Sequence, residues 1–225
     1  MNRTLPSASD TFAIERSLLG QGMGPVAGVD EAGRGSLAGP VVAACVILPE
    51  HCDYRVFRDS KTLSEKSRER LANLLQGNGA IFGLGLAEPA EIDAINILQA
   101  SLLAMQRAVE DCAQANQDCL PAYLLIDGKF SVPLAMPPQT RSRCEARRAP
   151  VAAASILAKV HRDHLMADLH QQYPCYNWLE NKGYPTRAHR QLIVEHGPCP
   201  QHRKSFKGVR EHLPTASTMQ EPGLG

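Results

Sequence analysis

Residues 26 to 35 read Val-Ala-Gly-Val-Asp-Glu-Ala-Gly-Arg-Gly, an apolar run that ends on two adjacent acids and continues into a glycine-bracketed arginine. A short run of this composition indicates a buried strand, which would carry Asp30 and Glu31 at its exposed end. Carboxylate oxygens placed there can hold a hard divalent cation. Gly33 and Gly35 lack a Cβ, so the backbone between them can come close to a ligand. The stretch predicts metal and phosphate chemistry at a strand end, against the alternative of solvated turn residues in an ordinary loop.

The sequence around this stretch predicts an α/β domain built on a mixed sheet. Apolar runs predict strands at 26–30, 41–48, 80–86 and 123–127, the first two joined as a hairpin by the glycine-rich turn 32–40. Helical periodicity and end signals predict helices at 64–76, 95–113, 151–166 and 187–196, with a short one at 10–18. This order of elements predicts helices on the faces of the sheet and ligands at the ends of its strands.

Three parts are predicted along the chain. Residues 1–24 lack a regular pattern and are expected to form a flexible N-terminal segment. Residues 25–212 are expected to form the compact domain, with a small C-terminal helical extension over about 174–212. The tail 213–225 has too little apolar content to pack, which predicts disorder.

The composition is that of an ordinary soluble globular protein, with 225 residues, 44% of them hydrophobic, and a net charge of +1. We expect no secretion signal and no membrane partner, because no apolar stretch approaches the roughly 20 residues that span a bilayer. Seven cysteines without a Cys-x-x-Cys pair indicate reduced thiols of a cytoplasmic protein. The eight histidines match no metal-binding spacing, which favours scattered surface histidines over a soft-metal site.

The run 123–127 repeats the opening pattern, because it ends on Asp127 and continues into Gly128. If the first and fourth strands are neighbours, Asp30, Glu31 and Asp127 meet at one end of the sheet. Three convergent carboxylates repel one another unless a cation neutralises them, and oxygen-only ligands favour Mg²⁺ or Mn²⁺ over zinc. Two such ions about 3.5 to 4 Å apart can activate a water and stabilise the leaving oxygen in phosphodiester hydrolysis.

Basic residues are in local excess between positions 139 and 163. The segment contains Arg141, Arg143, Arg147, Arg148, Lys159 and Arg162 against Glu145 and Asp163. Such an excess is consistent with contacts to a phosphate backbone and equally with a solvated basic face. The sequence leaves both interpretations open.

Further blocks of sequence stand in a recognisable order. They are VAGVDEAGRGSLAGPVVAACVIL at 26–48, DSKTLSEKSRERL at 59–71, IDAINILQASLLAM at 92–105, LLIDG at 124–128, AAASILAKVHRD through KGYPTRAH at 152–189, and HRKSF at 202–206. Together they resemble the type 2 ribonuclease H family, and its bacterial members most closely. The resemblance implies a ribonuclease H-like fold and endonucleolytic cleavage of RNA in RNA–DNA hybrids. It also implies incision 5′ of a single ribonucleotide embedded in duplex DNA, with 3′-hydroxyl and 5′-phosphate products.

The resemblance implies individual roles by motif position. The metal-binding catalytic acids would be Asp30, Glu31, Asp127 and Glu145. The substrate-binding residues would be Gly33, Arg34, Gly35, Ser60, Lys61, Ser155, Lys159 and Tyr184. In the family, the backbone of the glycine-arginine-glycine motif reads the ribose 2′-hydroxyl, which distinguishes RNA from DNA. The tyrosine packs against the sugar of the following deoxynucleotide, so that the two elements together would read an RNA-to-DNA junction.

Three positions depart from the family's pattern. Bacterial members carry an aspartate where this chain has Glu145, whose arm is one methylene longer, and a surface glutamate is the alternative interpretation. Asn181 and Pro185 stand where the family usually shows His and Gly. Pro185 removes a backbone donor and fixes φ, which bears on the placement of Tyr184.

Two other functions share part of this pattern: another two-metal hydrolase, such as a phosphatase, and a noncatalytic nucleic-acid-binding module. Only the nuclease requires Gly33-Arg34-Gly35 beside the metals and an aromatic ring across the substrate. The noncatalytic module predicts a lost acid, whereas Asp30, Glu31 and Asp127 are all present. We therefore expect a monomer that binds RNA–DNA hybrids and ribonucleotide-containing duplex DNA.

Overall fold

The computed structural model describes residues 11–57, 63–115, 120–127, 140–144 and 148–214. The strands within these residues are β1 (Val26–Ala32), β2 (Val41–Ile47), β3 (Ile81–Ala87), β4 (Tyr123–Asp127) and β5 (Thr140–Cys144). The helices are α1 (Ala13–Gly20), α2 (Glu65–Gly77), α3 (Pro89–Ala115), α4 (Ala149–Gln172), α5 (Trp178–Asn181) and α6 (Arg187–His196). Short 3₁₀ turns occur at Tyr54–Val56, Pro174–Tyr176 and Arg210–His212. In this part of the chain, no helix is long and apolar enough to cross a membrane.

The strands form a mixed sheet in the order β3-β2-β1-β4-β5, as the α/β prediction requires. β1 and β2 form the predicted antiparallel hairpin. β4 lies parallel to β1 on its other side, with Val29 opposite Ile126. Asp30 and Asp127 each follow one of these two paired residues, so their backbones are neighbours at one end of the sheet. β5, parallel to β4 at the edge, has no counterpart among the predicted strands.

The starts of α2 and α6 follow local sequence signals, and one helix differs from its prediction. Ser64 caps α2 by accepting a hydrogen bond from the Ser67 N–H at 3.2 Å, as predicted. Thr186 caps α6 in the same way. The helix that differs is α3, which begins at Pro89 and is interrupted at Asn96, where φ is 69°. The Asn96 side-chain oxygen accepts hydrogen bonds from the N–H groups of Leu98 and Gln99. Asn96 thus caps the second part of α3.

Each face of the sheet carries its own apolar layer. α3 packs on one face against residues that alternate along the strands, among them Ala27, Val29 and Cys45. α2 and α4 cover the other face. The first turn of α4 lies directly on β1, since a Cβ at Gly28 would stand 2.1 Å from the Pro150 carbonyl carbon. This close contact fixes the position of α4 relative to the strand that ends in the acid pair.

The part of the N-terminal segment that the structure describes is packed on the domain. Phe12 is buried and stacks on Tyr54 with ring centroids 3.5 Å apart, and Leu18 is buried as well. The Ala149 N–H donates to the Thr11 carbonyl at 3.0 Å. Within residues 11–24 the chain therefore packs on the domain through a buried aromatic ring, and the flexibility of the segment 1–24 stays a prediction. Residues 1–10 and 215–225 lie outside the described residues, and the domain limits stay a prediction.

The C-terminal extension folds back onto the start of α3 and onto the loop that follows β1. The Asp93 carboxylate accepts hydrogen bonds from the N–H groups of Lys204 and Ser205 at 2.9 and 2.8 Å. The Leu37 N–H donates to the Gly183 carbonyl at 2.8 Å. The extension thus lies beside the strand end at which the acids are placed.

Candidate active site

A cavity of about 460 Å³ opens at the carboxyl end of β1. Its walls come from the end of β1, the following loop, α2, α4 and the C-terminal extension. The lining residues are Asp30, Glu31, Ala32, Gly33, Arg34, Gly35, Arg68, Ser155, Lys159 and Tyr184. Most of the residues proposed from the sequence therefore surround one space, although they come from four separate elements.

Asp30 and Glu31 form one wall of this cavity, and a nearby arginine partly compensates their negative charge. The Glu31 N–H donates to Asp30 Oδ1 at 2.8 Å, which fixes the Asp30 carboxylate against the N–H of the next residue. Arg34 Nη1 lies 3.2 Å from Glu31 Oε1, and this Glu31 side chain is 11% exposed. Both carboxylates are oxygen donors of the kind that hard divalent cations prefer.

Some predicted residues fall outside the described ones. Ser60 and Lys61 lie within 58–62, and Glu145 lies within 145–147. Asp127 is described as the last residue of β4, and its side chain is not. Among the described residues no group of three or more His, Cys, Asp or Glu side chains could hold a metal ion. The assignment of a complete ligand set therefore stays a prediction.

Gly33, in the loop after β1, occupies a position that only glycine fits. Gly33 has φ +93°, and a Cβ there would lie 2.1 Å from Arg162 Nε. Gly35, two residues later, has no atom within 4 Å of the position of a Cβ. Gly33 thus lets the loop pass directly over the Arg162 side chain.

α4 and α2 contribute polar side chains to the cavity. Ser155 and Lys159 stand one turn apart on α4 and both line the cavity, as their spacing predicts. Lys159 Nζ forms an ion pair with the buried Asp163 one turn further on, and Arg68 Nη2 of α2 lies 4.0 Å from the same carboxylate. Arg68 was not predicted as a site residue, because one basic residue among several on a helix carries no distinguishing pattern.

Tyr184 reaches the cavity from a tight turn at the start of the extension. Lys159 Nζ and Arg162 Cζ lie 5.6 and 5.4 Å from its ring centroid. Asn181 builds the turn, since its Oδ1 accepts from the Gly183 N–H and its Nδ2 donates to the Tyr176 carbonyl, each at 2.8 Å. The departure from the family at Asn181 therefore has a structural use. Pro185 is exposed and follows the ring without displacing it from the cavity.

A buried histidine pair lies behind this turn. His189 Nδ1 lies 3.0 Å from the Tyr184 carbonyl, and Trp178 Nε1 donates to His189 Nε2 at 3.0 Å. His202 Nε2 lies 3.2 Å from the same nitrogen, while His202 Nδ1 accepts from the Cys199 N–H at 3.1 Å. These contacts are assigned to two neutral rings, with the protons on His189 Nδ1 and His202 Nε2. Trp178 and His202 then share the single lone pair of His189 Nε2.

The pKa values of the pair agree with neutral rings. Burial lowers the pKa of His189. Burial, with the charge of His189 as a smaller cause, lowers the pKa of His202 to about 4. The expectation of scattered surface histidines is wrong for these two, because both are fully buried and hydrogen-bonded to each other.

Comparison with known proteins agrees with this geometry. Residues 27–209 match the family described as Ribonuclease HII. The chain belongs to the ribonuclease HII family. The Ribonuclease HII of Desulfotalea psychrophila is 52% identical over 205 residues, which cover 91% of this chain and 90% of that protein. The Ribonuclease HII of Syntrophotalea carbinolica is 48% identical over 201 residues, which cover 89% and 93%.

Solved structures support the same family and fold. The ribonuclease H2 from Pyrococcus horikoshii OT3 has a TM-score of 0.59 at 25% identity, covering 83% of this chain and 95% of that chain. Bst-RNase HIII in complex with Mn²⁺ has a TM-score of 0.70 at 15% identity, covering 94% and 75%, which shows the fold alone. As a member of the ribonuclease HII family, the chain is a ribonuclease H, a hydrolase that acts as an endoribonuclease. The family supports hydrolysis of the RNA strand in RNA–DNA hybrids.

Proposed function

We propose that this ribonuclease H also incises duplex DNA on the 5′ side of a single embedded ribonucleotide, leaving a 3′-hydroxyl and a 5′-phosphate. The observation that carries the proposal is the shared cavity. The acid pair, the Gly33–Gly35 backbone and the Tyr184 ring all open onto it. A nucleic-acid strand lying across this space would meet the carboxylates next to the two elements proposed to read the sugar, the Gly33–Gly35 backbone and the Tyr184 ring. Cleavage at a single ribonucleotide requires this arrangement.

We propose Mg²⁺ or Mn²⁺ as the cofactor, held by Asp30 and Glu31 together with Asp127 and Glu145. The fit rests on the donor set, because Asp30 and Glu31 offer only oxygens and lie beside the backbone of Asp127. A bound ion of this kind supplies an activated water and stabilises charge on the leaving oxygen. A structure of Bst-RNase HIII contains Mn²⁺, which supports the choice of a divalent ion.

The remaining cavity residues have roles that follow from their charge and geometry. Lys159 and Arg68 would attract the phosphate backbone, and Ser155 would donate to a phosphate oxygen. The backbone of Gly33–Gly35 would contact the 2′-hydroxyl. The Tyr184 ring would pack on the next sugar and disfavour a hydroxyl there. Ser60 and Lys61 are proposed to contact the same backbone.

The test uses two duplexes of the same sequence, one carrying a single ribonucleotide and one made only of DNA. The enzyme with Mg²⁺ or Mn²⁺ should cut the first duplex 5′ of the ribonucleotide and leave the second intact. Equal cutting of both duplexes would refute recognition of the 2′-hydroxyl.

A variant separates binding from catalysis. Asp127→Asn should abolish cleavage while hybrid binding persists, because the acid's proposed role is to hold the metal. Asp168→Asn is the matched control, since Asp168 is exposed on the far part of α4 and does not line the cavity. Full activity of Asp127→Asn would contradict the proposed ligand set.

A further inference from the structure

Two arginines are fully buried beside the candidate site. Arg162 lies on α4 and Arg203 lies in the C-terminal extension, and both side chains have an exposed fraction of 0%. A buried guanidinium is costly unless every nitrogen finds a partner, and an apolar residue of similar volume commonly serves stability as well or better. Arg162 meets this condition with all three nitrogens, whereas Arg203 Nη2 has no hydrogen-bond partner among the described residues. Since an apolar side chain would serve stability as well, we look for the role of the two arginines in the groups that they hold in place.

Arg162 connects two segments that lie far apart in the sequence. Its Nε donates to the Pro40 carbonyl at 3.0 Å and its Nη2 donates to the Ala38 carbonyl at 3.1 Å. Its Nη1 donates to the Lys182 carbonyl at 2.9 Å. The planar guanidinium presents its donors in a fixed fork, so these three bonds set the loop after β1 and the turn before Tyr184 at one relative position.

The same side chain contacts both proposed sugar-reading elements. The loop passes over it at Gly33, where a Cβ would lie 2.1 Å from Arg162 Nε. Arg162 Cζ also lies 5.4 Å from the Tyr184 ring centroid. A displacement of Arg162 would therefore move Gly33 and Tyr184 together.

Arg203 fixes the orientation of the peptide that joins Arg34 to Gly35. Its Nη1 donates to the Arg34 carbonyl and its Nε donates to the Gly39 carbonyl, both at 3.0 Å. The N–H and C=O of a trans peptide point in opposite directions in one plane. The bond to the Arg34 carbonyl therefore turns the Gly35 N–H away from Arg203, within the segment that lines the cavity.

Both side chains remain cations at neutral pH despite their burial. Burial lowers the pKa of Arg162. Burial, and then the charge of Arg162, lower the pKa of Arg203 to about 9. Neutral pH is below this value, so Arg203 keeps all its donors. A guanidinium is not deprotonated in proteins, so Arg162 keeps its donors as well.

We propose that Arg162 and Arg203 are positioning residues that set the enzyme's preference for a ribonucleotide over a deoxyribonucleotide. They do so by holding the Gly33–Gly35 backbone and the Tyr184 ring in register with each other. The inference rests on the proposed function of these two elements. It adds that two side chains that do not line the cavity set the relative position of the loop and the ring.

The test measures binding rather than cleavage, with Ca²⁺ as the divalent ion. Affinity is compared for the duplex with one ribonucleotide and for the all-DNA duplex. Arg162→Lys keeps the positive charge and loses the planar set of guanidinium donors. The ratio of the affinities for the two duplexes should fall by roughly tenfold or more relative to the wild type, with unchanged affinity for the all-DNA duplex. Arg210→Lys is the matched control, because Arg210 is 61% exposed in the same extension, and its preference should equal that of the wild type.

Each result has a separate meaning. A general loss of stability would weaken binding of both duplexes equally, and that outcome would overturn the inference. An undiminished preference in Arg162→Lys would also overturn it, whereas a wild type without any preference would refute the proposed function. Arg203→Lys should reduce the preference in the same direction through the Gly35 N–H.

A measurement on the wild type needs no folded variant. The ¹⁵Nε–¹H signal of Arg162 should shift on addition of the ribonucleotide duplex and should shift less on addition of the all-DNA duplex. Equal shifts with the two duplexes would refute a link between Arg162 and sugar recognition.

Discussion

Replacing His202 by glutamine should make the stability of the protein less sensitive to acid. His202 is fully buried, and its Nδ1 already accepts a hydrogen bond from the Cys199 N–H. A proton on that nitrogen would face another donor. The folded protein therefore resists protonation of His202, while the unfolded chain does not.

The magnitude follows from the pKa of His202, which is about 4 in the folded protein against 6.5 ordinarily. Above pH 6.5 both states hold a neutral ring, and the protein has its full stability. As the pH falls from 6.5 towards 4, only the unfolded chain takes up the proton, so the free energy of unfolding falls. At about 1.4 kcal/mol per pH unit, His202 removes about 2 kcal/mol by pH 5 and about 3 kcal/mol by pH 4.

The assay is urea unfolding of the wild type and of His202→Gln at pH values from 7.5 to 4.5. The variant should be less stable at pH 7.5, because it loses the contact with His189, but the difference between the two proteins should shrink by about 2 kcal/mol by pH 5. His212→Gln is the control, since His212 is exposed in the same extension. The free energy of unfolding of this variant should depend on pH as that of the wild type does. Parallel curves for the wild type and His202→Gln would refute the reasoning.

Three further predictions use local features of the chain. Glu145→Ala should slow cleavage and raise the Mg²⁺ concentration needed for half-maximal rate, and an unchanged rate throughout a metal titration would assign Glu145 to the surface. Gly33→Ala should lower the free energy of unfolding by about 2 kcal/mol or more, since a residue with φ +93° would also press on Arg162. Gly35→Ala should change it by less than about 1 kcal/mol in the same urea assay, and equal losses would contradict the steric argument. Ser64→Ala should cost about 1 kcal/mol in thermal or urea unfolding by removing the cap of α2, and no loss would show that the cap is dispensable.

The local patterns of the sequence predicted most of the sheet and the acid pair. The hairpin and the parallel neighbour of β1 follow from short apolar runs, because alternate burial within a strand leaves a strong pattern. β5 was missed because its residues, Thr-Arg-Ser-Arg-Cys, show no apolar alternation. The interruption of α3 at Asn96 was missed because the apolar periodicity after it continues as in an uninterrupted helix.

The buried side chains that hold the site residues in place could not be predicted from the sequence. Arginine is mostly exposed in proteins and histidine is intermediate, so nothing local indicates that Arg162 and His202 are fully buried. Their burial depends on carbonyl and ring nitrogen partners from other segments, and the bond between Arg162 and the Ala38 carbonyl spans 124 residues. Except for Arg68, the described residues named as site residues that face the cavity belong to recognisable motifs, whereas the residues that hold them in place become apparent only in three dimensions.

The bond from Arg203 to the Arg34 carbonyl spans 169 residues, and this distance has a consequence for the order of synthesis. A ribosome adds about 5 to 20 residues per second, so Arg203 leaves it roughly ten to thirty seconds after β1. During that interval the nascent chain carries the acid pair without the contact that fixes the following loop. Any message truncated before codon 203 would yield a chain with its acids in place and its loop untethered. Completion of the chain is therefore itself a requirement for the geometry of the loop.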